Sequence, residues 1–250
     1  MRQITFGTDG WRGIIADDFT FENVSRVAQA LADYHKGNFS TRRGIVIGYD
    51  RRFLSLEFAR TVAEIVAGNG IPVIFSRSDL PTQAVSWAVL DKNVPQGVMI
   101  TASHNPPSFN GIKIKSAFGG SATEDVTSAI ESLLDENAVQ RLRWQAAEKK
   151  GLLVQADLIP SYIEKVWQFL DTPVVKSAGL HVVCDPMFGS GAGIIEKILV
   201  DSRCNVSAIH AEVNPGFQGL SPEPIEQHLD ELKRAVTERK ADIGLAIDGD

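Results

Sequence analysis

Cysteine is nearly absent: the 250-residue chain contains two, Cys184 and Cys204. Two thiols cannot build a disulfide framework or a four-cysteine zinc site, and so sparse a use of cysteine fits a reducing, cytoplasmic compartment. No run of about 18 apolar residues occurs, which argues against a membrane span. The opening residues, MRQITFGTDGWRG, lack the apolar core of a secretory signal. Excess positive charge is lacking as well. Lys and Arg total 25 against 31 Asp and Glu, a formal net charge of −6, which disfavours non-specific binding to nucleic acid. There is no G-x-S-x-G segment of the kind that places a hydrolase serine, and no short-period repeat.

What is present is an ordinary globular balance, 44% hydrophobic and 22% charged, long enough for one large or two ordinary domains. Apolar runs alternate with helical patterns. FENVSRVAQALADY (21–34) places Val24, Val27, Ala28 and Leu31 on one helix face. GIVIGYD (44–50) reads as a buried strand, 56–67 as a helix stopped by Gly68 and Gly70, IPVIF (71–75) as a strand, 82–90 as a helix and GVMIT (97–101) as a strand. NGIKIK (110–115) alternates apolar and charged residues and predicts a strand with one wet face. Ser121 and Glu124 suggest a capping box for a helix through Leu134.

A polar stretch from Asp135 to about Gly151 reads as a helix or linker closing a first domain, or as a surface helix within one continuous domain. Beyond it the alternation resumes: helix 159–170, strand 180–185, helix 192–200, strand 205–210, helix 224–239 and strand 242–247. The reading is α/β: two consecutive α/β/α layered domains, 1–150 and 151–250, with mixed, largely parallel sheets.

Three stretches carry chemistry, each next to a strand, where open α/β sheets gather ligands. FGTDGWRG (6–13) joins turn residues Thr8, Asp9 and Gly10 to Arg12 in a loop. That guanidinium suits bidentate contact with phosphate, or alternatively a surface carboxylate. In TASHNPPSFNGIKI (101–114), Pro106 and Pro107 fix φ and withhold two donors, and Asn105 is biased toward extended geometry. Ser103 is therefore expected at the tip of a stiff, exposed turn, as a nucleophile or in a plain connection. His104 is adjacent, but neighbouring side chains on an extended segment point apart, so a simple Ser–His pair is not expected. Lys113 and Lys115 fall on one strand face, either with one near a reacting centre and the other solvated, or with both solvated. The chain's last five residues, AIDGD, set Asp248 and Asp250 two apart around a glycine, either an ordinary turn or a site for a hard cation such as Mg²⁺.

The three cohere if Ser103 carries a phosphoryl group. Roughly −1.5 to −2 charge on the serine beside two carboxylates calls for a divalent cation.

On these residues the sequence resembles the α-D-phosphohexomutases: phosphoglucomutase, phosphomannomutase and phosphoglucosamine mutase. TASHNP is similar to the family's phosphoserine loop, FGTDGWRG to its N-terminal signature and NGIKI to the stretch carrying its active-site lysine. CDPMFGSG (184–191) is similar to its second-domain turn and AIDGD to the start of its metal loop. The resemblance runs from residue 6 to residue 250. It implies that Ser103 is phosphorylated and is a Mg²⁺ ligand through its phosphate, with Asp248 and Asp250 as further ligands. Arg12 and Lys113 would lie beside the transferring group, Lys113 as acid/base, with His104 and Asn105 shaping the loop and contacting phosphate. Phosphoserine would pass its phosphoryl group to a hexose 1-phosphate, and the bisphosphate would reorient and return the other phosphate.

The family has four domains, of which this chain matches the first two. A third metal-loop aspartate and the arginine after it would lie past Asp250. The missing C-terminal domains would be its partner, and the chain by itself would have little or no mutase activity. The serine loop lacks the methionine-rich form common among glucosamine members, which leans the substrate toward glucose or mannose phosphates. Two rivals stay open: a noncatalytic sugar-phosphate or metal-binding module, and a Mg²⁺-dependent phosphatase using Asp248 as nucleophile.

Overall fold

The computed structural model describes residues 4–7 and 10–250; Thr8 and Asp9 of the expected turn lie outside the described residues. Two compact units emerge. The first comprises residues up to 158, except for the short segments 51–53 and 103–107, which group with 159–250 in the second.

The first unit runs β1 (Trp11–Ile14), α1 (Phe21–Asn38), β2 (Ile45–Tyr49), α2 (Ser55–Gly68), β3 (Val73–Ser76) and α3 (Thr82–Asp91). It continues with β4 (Gln96–Ile100), β5 (Phe109–Ser116), α4 (Glu124–Ser132), α5 (Trp144–Lys149) and β6 (Leu153–Ala156). Its sheet has the order β1-β5-β4-β2-β3-β6. β4, β2, β3 and β6 pair in parallel, and β5 is antiparallel to both neighbours. Helix α1 starts where the Thr20 hydroxyl accepts the Asn23 N–H at 3.1 Å, the N-cap bond that short polar side chains favour.

The apolar stripes of α1 and α2 cover the sheet face that carries Ile45, Ile47, Val98, Ile100, Ile112 and Ile114. On the opposite face lies α3. A Cβ at Gly48 would stand 2.5 Å from Val85 Cγ2, and one at Gly97 2.6 Å from Val89 Cγ2. Glycine on β2 and β4 is what lets that helix sit on the strands.

Several expectations change here. β5 has no wet face: Lys113 and Lys115 are each 5% exposed, because β5 lies inside the sheet with a helical layer over each face. The Lys115 side chain lies on the α3 side, its Cβ beside Gly97. Ser121 caps no helix. It bridges to Lys115 and accepts from the Lys115 ammonium at 3.3 Å, and α4 begins after Thr123. The polar stretch after Asp135 ends in the short α5, and the chain then adds β6 to β3, so the first unit extends to Leu158.

The second unit runs α6 (Ile159–Trp167), α7 (Thr172–Ala178), β7 (His181–Asp185), α8 (Ile194–Asp201), β8 (Asn205–Ala208), α9 (Asp230–Glu238) and β9 (Ile243–Ala246). Its three strands are parallel, in the order β8-β7-β9. α8 packs with Val182, Cys184 and Leu245 on one face, and α9 with Val183 and Ala246 on the other. The helix expected over 159–170 ends at Trp167, and a second begins where the Asp171 carboxylate accepts the Val174 N–H at 3.3 Å, with Pro173 in the first turn. The helix expected from Pro224 is a 3-10 turn at Glu226–His228 followed by α9. Among the described residues, no helix is long and apolar enough to cross a membrane.

Two outcomes follow. Ile47, fully buried at the centre of the first sheet, is expected to lose about 2–5 kcal/mol of stability on substitution by alanine, read by urea unfolding. A loss below about 1 kcal/mol would contradict the placement. Cys184 is fully buried, and burial first, then Glu196 and Cys204, push its thiol up to about 12. In Cys204→Ser, Cys184 should therefore resist Ellman's reagent at pH 8 until the chain is unfolded; rapid reaction in the folded state would contradict this.

Candidate functional site

The segment after β4 turns sharply. Ser103 adopts φ +54°, the left-handed region that a side chain with a Cβ rarely enters without being held there. It is only 9% exposed, so the expected exposed tip is instead a buried one. The residue groups with the second unit. There its Oγ–H donates to Asp250 Oδ1 at 2.9 Å. The Asp250 N–H donates to Asp248 Oδ1 at 3.3 Å, so both acidic side chains belong to one tight turn. His104 does not serve Ser103: its Nδ1 stands 3.9 Å from Asp248 Oδ2. The carbonyl oxygen of Asn105 accepts from Arg52 Nη2 at 2.6 Å.

Two other segments hold the acidic turn in place. Ser190 N–H donates to the Gly249 carbonyl at 3.2 Å, and Gly249 N–H donates to the Pro222 carbonyl at 3.0 Å. A Cβ on Gly189 would meet Gly249 Cα at 2.6 Å, and one on Gly249 would meet Pro222 Cγ at 2.8 Å. The CDPMFGSG turn is itself anchored by the buried Asp185 at the end of β7. Its carboxylate accepts the Met187 N–H at 2.9 Å and lies 3.0 Å from His210 Nδ1. The other His210 nitrogen, Nε2, lies 3.0 Å from Glu231. The turns after β7 and β9 thus pack backbone to backbone at Gly189, and the acidic turn seats on the Pro222 ring at Gly249.

Arg12 and Lys113 belong to the first unit. Arg12 lies on strand β1 rather than in a loop and pairs with Gly111 of β5. Lys113, two residues along, projects from the same face as Arg12. The chain reaches β1 over Gly10, at φ +115°, where a Cβ would lie 2.2 Å from the Ile112 carbonyl oxygen; only glycine fits. Sequence reasoning missed a buried network in this unit. Ser55 Oγ donates to Asp50 Oδ1 at 2.5 Å, and Asn110 Nδ2 donates to Ser55 Oγ at 2.9 Å. It also missed Arg52, since DRRFLS offers no signal that separates Arg52 from Arg51.

Ser103 Oγ, Asp248 and Asp250 form a set of hard oxygen donors of the kind Mg²⁺ takes. Among the described residues, no group of three or more His, Cys, Asp or Glu is gathered to hold a metal. Two carboxylates alone are not a complete ligand set for such an ion.

The profile described as "Phosphoglucomutase/phosphomannomutase, alpha/beta/alpha domain I" matches residues 3–141, and that of domain II matches 160–250. A Methanosphaera stadtmanae protein named "Probable phosphoglucosamine mutase" is 34% identical over 98% of this chain and 52% of its own length. A Thermococcus kodakarensis phosphoglucomutase/phosphomannomutase is 31% identical over 98% of this chain and 53% of its own. The chain thus spans about half the length of the curated relatives it matches. A crystal structure from Thermus thermophilus, assigned provisionally to the phosphomannomutases, superposes with a TM-score of 0.89 at 33% identity, over 99% of this chain and 55% of that one.

Replacing Gly189 by alanine is expected to push the Asp248–Asp250 turn away and to cost about 1–3 kcal/mol of stability, the range for overpacking. A crystal structure of the variant in which Ser103 Oγ and Asp250 Oδ1 remain about 2.9 Å apart would contradict this.

Proposed function

The chain belongs to the phosphoglucomutase/phosphomannomutase family, and from that premise we propose that it carries the phosphoserine and metal turns of a phosphohexomutase, which interconverts a hexose 1-phosphate and a hexose 6-phosphate. The observation that carries the reading is the hydrogen bond from Ser103 Oγ to Asp250 Oδ1, 2.9 Å long, between residues far apart in sequence.

In this reading Ser103 is the phosphoryl carrier. The bond from phosphorus to Ser103 Oγ breaks as phosphorus bonds to the free 6-hydroxyl oxygen of a hexose 1-phosphate. The sugar hydroxyl loses its proton and Ser103 Oγ regains one, so protons balance. Lys113 is the candidate acid/base for this exchange. The restored serine hydroxyl donates to Asp250, which keeps the oxygen aimed for the return step. The bisphosphate then reorients and gives its 1-phosphoryl group back to Ser103, leaving hexose 6-phosphate. Arg12 offers a planar fork to a phosphate, and His104 and Asn105 shape the serine turn. Mg²⁺, held by Asp248, Asp250 and an oxygen at Ser103, would neutralise the charge gathered when phosphoserine stands beside two carboxylates. Transfer of this kind rests mainly on positioning and charge neutralisation.

The relatives' names span phosphoglucosamine, phosphoglucose or phosphomannose, and phosphopentose mutases. The reading places sugar selection in the remaining half of such proteins, and the 250-residue chain alone should turn over little glucose 1-phosphate.

Incubation with glucose 1,6-bisphosphate and Mg²⁺, followed by intact-mass and peptide mass spectrometry, tests the carrier. One phosphoryl group should appear on Ser103, and Ser103→Ala should take up none. A label that persists in Ser103→Ala, or turnover of glucose 1-phosphate by the chain alone at the rate of a longer relative, would contradict the proposal.

A further inference from the structure

The serine turn has few backbone donors of its own, because Pro106 and Pro107 carry no N–H. Its carbonyl oxygens instead converge on one side chain. Arg52 Nη2 donates to the carbonyls of Ser103 at 2.5 Å and of Asn105 at 2.6 Å, and Nη1 donates to that of Pro106 at 2.9 Å. Arg52 is 3% exposed, and its guanidinium carbon stands 4.9 Å from the ring centroid of Phe217, within cation–π range. All of these residues belong to the second unit.

Resting on the reading of Ser103 as phosphoryl carrier, we propose that Arg52 is the positioning residue for that serine, a clamp that holds the turn in its left-handed conformation and so aims Ser103 Oγ at Asp250. A left-handed serine is strained and reverts to negative φ unless something holds it. A charged donor makes stronger hydrogen bonds to carbonyls than a neutral one, and a planar guanidinium has enough N–H groups to serve three acceptors at once. The Phe217 ring also fixes the guanidinium itself, and Phe217 lies on the same 214–222 loop whose Pro222 holds Gly249. One loop therefore braces the serine turn through Arg52 and the acidic turn through Pro222. Misplacing a reacting oxygen by about 1 Å can cost on the order of 10²-fold in rate, so a clamp acting only on backbone carbonyls still governs the chemistry.

The test uses the full 250-residue chain. In Arg52→Ala, hydrogen–deuterium exchange should rise at least about tenfold in peptides covering residues 101–110, while peptides from β2, β4 and α1 stay unchanged, the signature of local opening. Arg52→Lys keeps the charge but not the fork and should match Arg52→Ala within about threefold. Titration with Mn²⁺, followed by electron paramagnetic resonance, then reads the consequence. Ser103→Ala and Arg52→Ala should each weaken Mn²⁺ binding, and the double variant should bind no more weakly than Ser103→Ala alone, since both changes remove the same oxygen. Unchanged exchange, or exchange raised evenly across the chain, overturns the clamp. Additive losses of Mn²⁺ affinity overturn its action through Ser103. If the unaltered chain binds no Mn²⁺ yet Arg52→Ala opens the turn locally, the clamp stands and the metal reading of the site falls.

Discussion

A single hydrogen bond gives the site its meaning: a buried serine hydroxyl pointing at a carboxylate 147 residues away along the chain. A buried hydroxyl must find a partner, because leaving it unpaired is costly. Here the partner stands on a turn that also holds a second carboxylate, so the serine oxygen is brought into an acidic surrounding. In the proposed function that oxygen carries a phosphoryl group and a cation joins the charges. The strain at Ser103, with its positive φ, is consistent with a residue whose orientation matters more than its comfort.

The scaffold of the second unit explains how the acidic turn is placed. That turn and the CDPMFGSG turn leave the C-terminal ends of β9 and β7, which pair in parallel. In parallel α/β sheets these ends are where chain segments converge. Gly189 then lets the backbone of the acidic turn approach to a distance that any Cβ would forbid, and Gly249 makes room for the Pro222 ring on its other side.

Much of this was legible in the sequence. The strand–helix alternation placed most elements, though not β1, β6 or α7, because apolar runs and helical stripes carry their own period. Ser103, Asp248 and Asp250 could be proposed together from charge alone. Other features depend on neighbours that a linear reading does not see. The alternation of Ile and Lys in β5 looks half-wet, yet β5 is an inner strand covered on both faces, so both lysines are buried. β6 is four residues long after a polar stretch and is defined only by its pairing with β3. Ser121 has the right spacing for a cap, but a bridge to Lys115 claims it. Arg52 sits beside Arg51 in an ordinary-looking loop, and only the three-dimensional path of the 103–107 turn distinguishes the two.

The most direct measurement is the anomalous scattering of Mn²⁺ soaked into crystals of the chain. The account requires one peak within coordination distance of an oxygen at Ser103 and of the carboxylates of Asp248 and Asp250. Manganese bound elsewhere, or bound by the two aspartates with the Ser103 oxygen turned away, would contradict it.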